Sequence, residues 1–182
     1  MKFLSMGMLA LGVALTCFWS AAANAEFFID CSETAFPFVD PAYNVDCERF
    51  NGGVQAGSES GPSTTESISV TNTQRTIFFT MVDRRITAPH IYMEHRNLSE
   101  GFHDAFSIPD VTDWKPVDDK DGYDVAEFAS VFSGNPSHCI TVQRYTNAMY
   151  TGYKRHLIGV GCTIGDLSEV YGILDRLASA GD

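Results

Sequence analysis

His90-Ile91-Tyr92-Met93-Glu94-His95 brings together the residue types of a helical metallopeptidase site: two imidazoles to hold a metal and a carboxylate to act as base. That chemistry needs the histidines four residues apart, so that one helix face presents both; here they are five apart. The run from Ile86 to Glu94 reads instead as a strand, with Pro89 placing its start at an edge or bend. In a strand His90 and His95 point to opposite faces, so they are expected as partly exposed side chains and not as ligands.

A second candidate lies in residues 110–124. There Asp119-Lys120-Asp121-Gly122-Tyr123-Asp124 offers the hard oxygen ligands and the turn glycine of a calcium loop. Counted as an EF-hand, the loop puts Val117 at position 1 and Phe128 at position 12, where Asp and Glu belong. Asp-Lys-Asp-Gly is also hairpin-turn chemistry, and Asp119, Asp121 and Asp124 are expected in a solvated turn.

Nucleophilic chemistry has less support. In Gly57-Ser58-Glu59-Ser60-Gly61 a glutamate stands where a nucleophile elbow needs serine. Lys154-Arg155-His156, with Arg144 across a hairpin, could receive an anion or an acidic partner, but reads first as a solvated strand end. His138, beside Cys139, reads as the start of a strand. No cofactor is expected.

The cysteines depend on where the chain resides. Lys2, the uncharged run from Phe3 to Trp19 and Ala23-Asn24-Ala25 have the form of an export signal, with cleavage after Ala25 or, alternatively, after Ala23. A retained anchor would need a basic stop after the apolar run, which is missing, and Leu15-Thr16 before Cys17 does not suit lipidation. The mature chain then begins at Glu26 and keeps Cys31, Cys47, Cys139 and Cys162. An even number of cysteines in an exported chain predicts two disulfides, and there is no C-x-x-C spacing for zinc or redox chemistry. The expected pairs are Cys31–Cys47, closing an N-terminal loop, and Cys139–Cys162, facing each other across an antiparallel hairpin.

The elements that would position these residues follow from periodicity. Glu66 to Thr71 alternates, with Ile68 and Val70 on one face; Arg75 to Val82 is β-rich enough for a central strand. Asp124 to Phe132, Cys139 to Tyr145 and Arg155 to Cys162 supply further strands, the last two joined by a turn-like stretch over 146–154. The run from Leu98 to Ile108 fits either helix or strand. Asp166-Leu-Ser-Glu169 predicts a helix start, and Leu167, Val170, Tyr171, Leu174, Leu177 and Ala178 recur as one apolar stripe. The expected fold is α+β: a mainly antiparallel sheet with an amphipathic C-terminal helix packed on one face, and two disulfides. The expected organisation is a signal at 1–25, a disulfide-closed segment at 26–50, a Gly/Ser-rich linker at 51–65 and one domain at 66–182.

The chain has 182 residues with 12 Lys+Arg against 23 Asp+Glu, a formal charge of −11 that becomes −12 once Lys2 is removed. Such acidity disfavours nucleic acid and anionic membranes, and no stable membrane insertion is expected after cleavage. It favours a basic protein partner by long-range attraction. Composition and motifs together predict a small exported binding, inhibitory or protective domain. The alternative is a small exported hydrolase assembled from scattered residues such as His90, His95, His103 and the carboxylates of 110–124.

Overall fold

Alternation of burial along the strands sets the architecture. In β3 (Ser63–Asn72) and β4 (Ile77–Ile86), Ile68, Val70, Ile77, Phe79 and Met81 point to one side and are buried, while Ser67, Ser69, Phe78, Thr80 and Val82 point to the other. The computed structural model describes residues 26–36, 38–52, 62–132 and 134–180. These form one antiparallel sheet in the order β1-β2-β3-β4-β8-β7-β6-β5. The remaining strands are β1 (Glu26–Phe28), β2 (Tyr43–Gly52), β5 (Thr112–Lys120), β6 (Tyr123–Phe132), β7 (Asn135–Met149) and β8 (Gly152–Thr163).

One face of the sheet is covered by the C-terminal helix α2 (Leu167–Ala180), whose Val170, Ile173, Leu174, Leu177 and Ala178 are buried. Asp166 starts it, its carboxylate accepting from the Ser168 N–H at 2.7 Å. Close approach depends on Gly161, where a Cβ would lie 2.4 Å from Phe79 and 2.5 Å from Val170. The other face is covered only in part, by the short helix α1 (Leu98–Ala105), whose Phe102 packs against Phe128, Val160, Cys139 and Cys162. The fold is α+β, as the sequence pattern predicts.

Both expected disulfides are present: Cys31–Cys47 with a Cα–Cα distance of 5.3 Å and Cys139–Cys162 at 4.1 Å, the latter pair directly opposite in the β7–β8 register. Several boundaries differ from expectation. Residues 26–50 are not set apart, because β1 and β2 extend the same sheet beside β3. Of the expected linker, Asn51 and Gly52 end β2 and residues 63–65 begin β3, whereas 53–61, including Gly57-Ser-Glu-Ser-Gly61, lie outside the described residues. The export signal at 1–25 also lies outside them.

The strand expected from Ile86 to Glu94 is a correction: β4 ends at Ile86, and only Met93 pairs further on, in an isolated bridge to Tyr153. Thr87 continues the pairing with β3 for one residue, its N–H donating to the Pro62 carbonyl, and Pro89 has no N–H to extend a ladder. The turn expected over 146–154 is shorter, since β7 and β8 stay paired as far as Met149 and Gly152. Leu98 to Ala105 is helical because Asn97 caps it, accepting from the Glu100 N–H at 2.9 Å.

Candidate functional site

The uncovered part of the α1 face leaves a cleft of about 600 Å³ between α1, the loop before it and the sheet. Its floor is a row of side chains set by register. Thr65 on β3 pairs with Arg84 on β4, Arg84 with His156 on β8, and His156 with Tyr145 on β7. Val82 and Ile158, two residues along their strands, extend the floor as an apolar strip.

The wall facing this row is firmly held. Met93 and Tyr153 exchange backbone hydrogen bonds at 2.8 and 3.0 Å. The Lys154 ammonium donates to the Ala88 and Ile91 carbonyls and lies 4.1 Å from the Tyr92 ring centroid. Gln143 donates to the Arg96 carbonyl at 2.9 Å, and the Tyr145 hydroxyl accepts from the Arg96 N–H at 3.3 Å. Gly152, at φ 150°, leaves room for this loop, since a Cβ there would come within 2.5 Å of the Met93 carbonyl.

His156 is the chemical centre of the cleft. Its ring stacks on Tyr145, with centroids 4.2 Å apart and planes 9° from parallel, and the Nε2 atom is buried without a hydrogen-bond partner among the described residues. Burial pulls its pKa down to about 4, and the positive charges of Arg84, His95 and Arg96 add to this against Asp83. At neutral pH it is a neutral imidazole, with one donor and one acceptor nitrogen. Burial likewise pushes the Tyr145 phenol up. The cleft's two arginines differ: Arg96 is ion-paired with Asp104 on α1, while Arg84 has no ion pair among the described residues.

The structure disperses the residues singled out by sequence. His90 is exposed in the turn after β4; His95 is exposed at the margin of the cleft, 4.9 Å from Tyr145 and 5.8 Å from Tyr153. His103 is exposed on α1 and stacks on Trp114, and His138 is exposed on β7. Asp121 and Gly122, at φ 53° and 75°, form the two-residue turn between β5 and β6, the hairpin chemistry expected of Asp-Lys-Asp-Gly. Asp119 is exposed on edge strand β5, and Asp124 lies within hydrogen-bond reach of Gln143 at 3.4 Å. Among the described residues no three His, Cys, Asp or Glu side chains group as a metal site.

Lys154, Arg155, His156 and Arg144 form no single patch. Lys154 and His156 face the cleft side, whereas Arg155 and Arg144 face the other, by the alternation of β8 and β7. Arg155 is engaged with Asp83 at 3.0 Å, and Arg144 lies over the Tyr123 ring.

Away from the cleft the surface is acidic, because the cations are largely engaged within the fold. Arg49 pairs with Glu66, Arg85 and Arg155 with Asp83, Arg96 with Asp104, Lys120 with Asp175 and Arg176 with Asp40. Asp110, Asp113, Asp118, Asp119 and Asp121, all exposed around the β5–β6 hairpin, have no such partner among the described residues. Reading the cleft as a site required the strand register, since Arg84, Tyr145 and His156 form no motif along the sequence. Compared with family models, curated proteins and solved structures, the chain finds no match, and its function must be argued from this geometry.

Proposed function

We propose that the chain is a non-enzymatic binding domain of an exported, oxidising compartment that engages a basic protein partner through its acidic exterior. The observation that carries this reading is the distribution of charge. Six of the cations are ion-paired with carboxylates of the same fold, and the excess of carboxylates faces outward, most densely around the β5–β6 hairpin. A surface of this kind raises encounter rates with cationic proteins and repels acidic ones. Edge strand β5 resists non-specific strand addition, because it carries Pro116 and several charges, so recognition there is by side chains. Two disulfides fit an oxidising compartment, and no helix among the described residues is long and apolar enough to cross a membrane.

The test begins with recovery of partners from the native exported fraction at low salt, followed by association rates at two ionic strengths. A basic partner whose on-rate falls steeply with salt, and falls again with Asp113→Lys, Asp118→Lys and Asp119→Lys combined, supports the reading. Turnover of a peptide, ester or glycan that is lost on substituting His90, His95 or His103 would overturn it in favour of a hydrolase.

A further inference from the structure

We propose that the cleft between α1 and the sheet is a binding site for a small organic carboxylate with an apolar body, its carboxylate held by Arg84 and His156. This site is separate from the acidic exterior, and stands or falls independently of the protein partner.

Three observations converge on this chemistry. First, Arg84 lies in the cleft with no ion pair among the described residues, in a chain where five other arginines are ion-paired with carboxylates. A guanidinium presents a planar fork of donors that matches a carboxylate. Second, His156 is the direct cross-strand neighbour of Arg84, and its buried Nε2 has no hydrogen-bond partner among the described residues. A buried polar atom without a partner, in a side chain that lines a cleft, is one that a ligand's polar atom can complete once the side chains covering it part. With its ring neutral at working pH, Nε2 can carry the proton and donate to a carboxylate oxygen beside the guanidinium. Third, the polar pair adjoins apolar surface, with Val82 and Ile158 on the floor and Ile91 and Met93 on the facing wall. A few polar groups fixing one end of a ligand, with apolar walls around the remainder, is the usual construction of a small-molecule site, and about 600 Å³ is within its usual size.

The other charges of the cleft agree with one anion and not with a cation. Arg96 and Asp104 neutralise each other, and Glu94 is exposed. The groups acting on His156 are predominantly positive: Arg84, His95 and Arg96 against Asp83. The charge acting on His156 is therefore predominantly positive, against the acidic balance of the whole chain.

The mature chain is titrated with hexanoate, 1-hexanol and hexylamine, which share one apolar body and differ only in the head group. Binding is followed through the His156 imidazole resonances and by calorimetry. Hexanoate is expected to bind on the order of tenfold more tightly than 1-hexanol, with hexylamine weakest. Bound hexanoate is expected to raise the His156 pKa, because a carboxylate offsets Arg84. Arg84→Gln is expected to abolish the preference for hexanoate over 1-hexanol while leaving the thermal midpoint near that of the parent, since Arg84 has no ion pair among the described residues to lose. Equal affinity for hexanoate and 1-hexanol, a preference for hexylamine, no saturable binding of any of the three, or an unchanged preference in Arg84→Gln would overturn the proposal. Should Arg84→Gln fail to fold, the head-group comparison in the parent chain still decides.

Discussion

Glu66 and Asp83 are directly opposite each other on β3 and β4, both buried and on the same face of the sheet. Two carboxylates so placed repel each other, and the fold tolerates them because three arginines surround them. Arg49 donates to Glu66 at 2.8 Å, Arg85 to Asp83 at 2.8 Å and Arg155 to Asp83 at 3.0 Å, while the Ala35 N–H adds a second donor to Glu66 at 2.9 Å. This network joins β2, β3, β4 and β8 where α2 no longer covers the sheet. Arg155→Met should destabilise the protein by about 2–4 kcal/mol, because Asp83 is fully buried and loses one of its two cations. Adding Asp83→Asn should recover part of the loss. A double-mutant cycle in denaturant checks this, and additive effects would contradict the coupling.

Two glycines, one in the sheet beneath α2 and one within α2, should respond in opposite directions. Gly161→Ala puts a methyl group into Phe79 and Val170, both fully buried, and should cost about 1–3 kcal/mol by forcing α2 away from the sheet. Gly172→Ala, in the interior of α2 with nothing within 4 Å of its Cβ, should stabilise by about 0.5–1 kcal/mol through helix propensity. Thermal midpoints of the two variants on either side of the parent would verify both statements.

How much of this was legible in the sequence depends on whether a feature is local. The alternation of Ile68 and Val70, the stripe of α2 and the opposition of Cys139 and Cys162 are written in residue spacing, and the fold obeys them. Helix α1 had a readable start in Asn97-x-x-Glu100, but with only eight residues it has too few apolar positions to show a period. Strand β2 alternates Tyr43, Val45 and Cys47 inward with Asn44, Asp46 and Glu48 outward; the cysteine drew attention to a loop and hid the strand. The cleft is another matter. Arg84, Tyr145 and His156 meet only through the pairing of β4, β8 and β7, and no linear motif carries that register.

The disulfides permit a ranked prediction. Chain-entropy arguments assign each about 3 kcal/mol for sequence separations of 16 and 23 residues. Cys139 and Cys162 join two adjacent inner strands and are both buried against Phe102, so their joint replacement by alanine also opens a cavity under α1. Cys47 is buried as well, but Cys31 is only partly so, and this pair ties the sheet's edge. Cys139→Ala with Cys162→Ala should therefore lower the denaturant midpoint more than Cys31→Ala with Cys47→Ala, and both should lower it clearly. A small effect of the second pair would contradict the finding that β1 and β2 belong to the same sheet.

The pH dependence of stability should carry the signature of His156. Its folded pKa, about 4, is below the ordinary value of 6.5, so the unfolded chain binds a proton that the folded chain refuses. Between those two values the unfolded state holds more protons, and stability must rise with pH; the contribution is complete above about 6.5 and is lost as the pH falls towards 4. A gap of this size corresponds to roughly 3 kcal/mol. The cause is burial beside Tyr145 together with the charge of Arg84. His156→Phe keeps the stacking surface and removes the titration. Its denaturation midpoint should vary less between pH 7 and pH 4.5 than that of the parent. An imidazole resonance of His156 titrating near 6.5 would show that the ring is more hydrated than its place between Arg84 and Tyr145 implies.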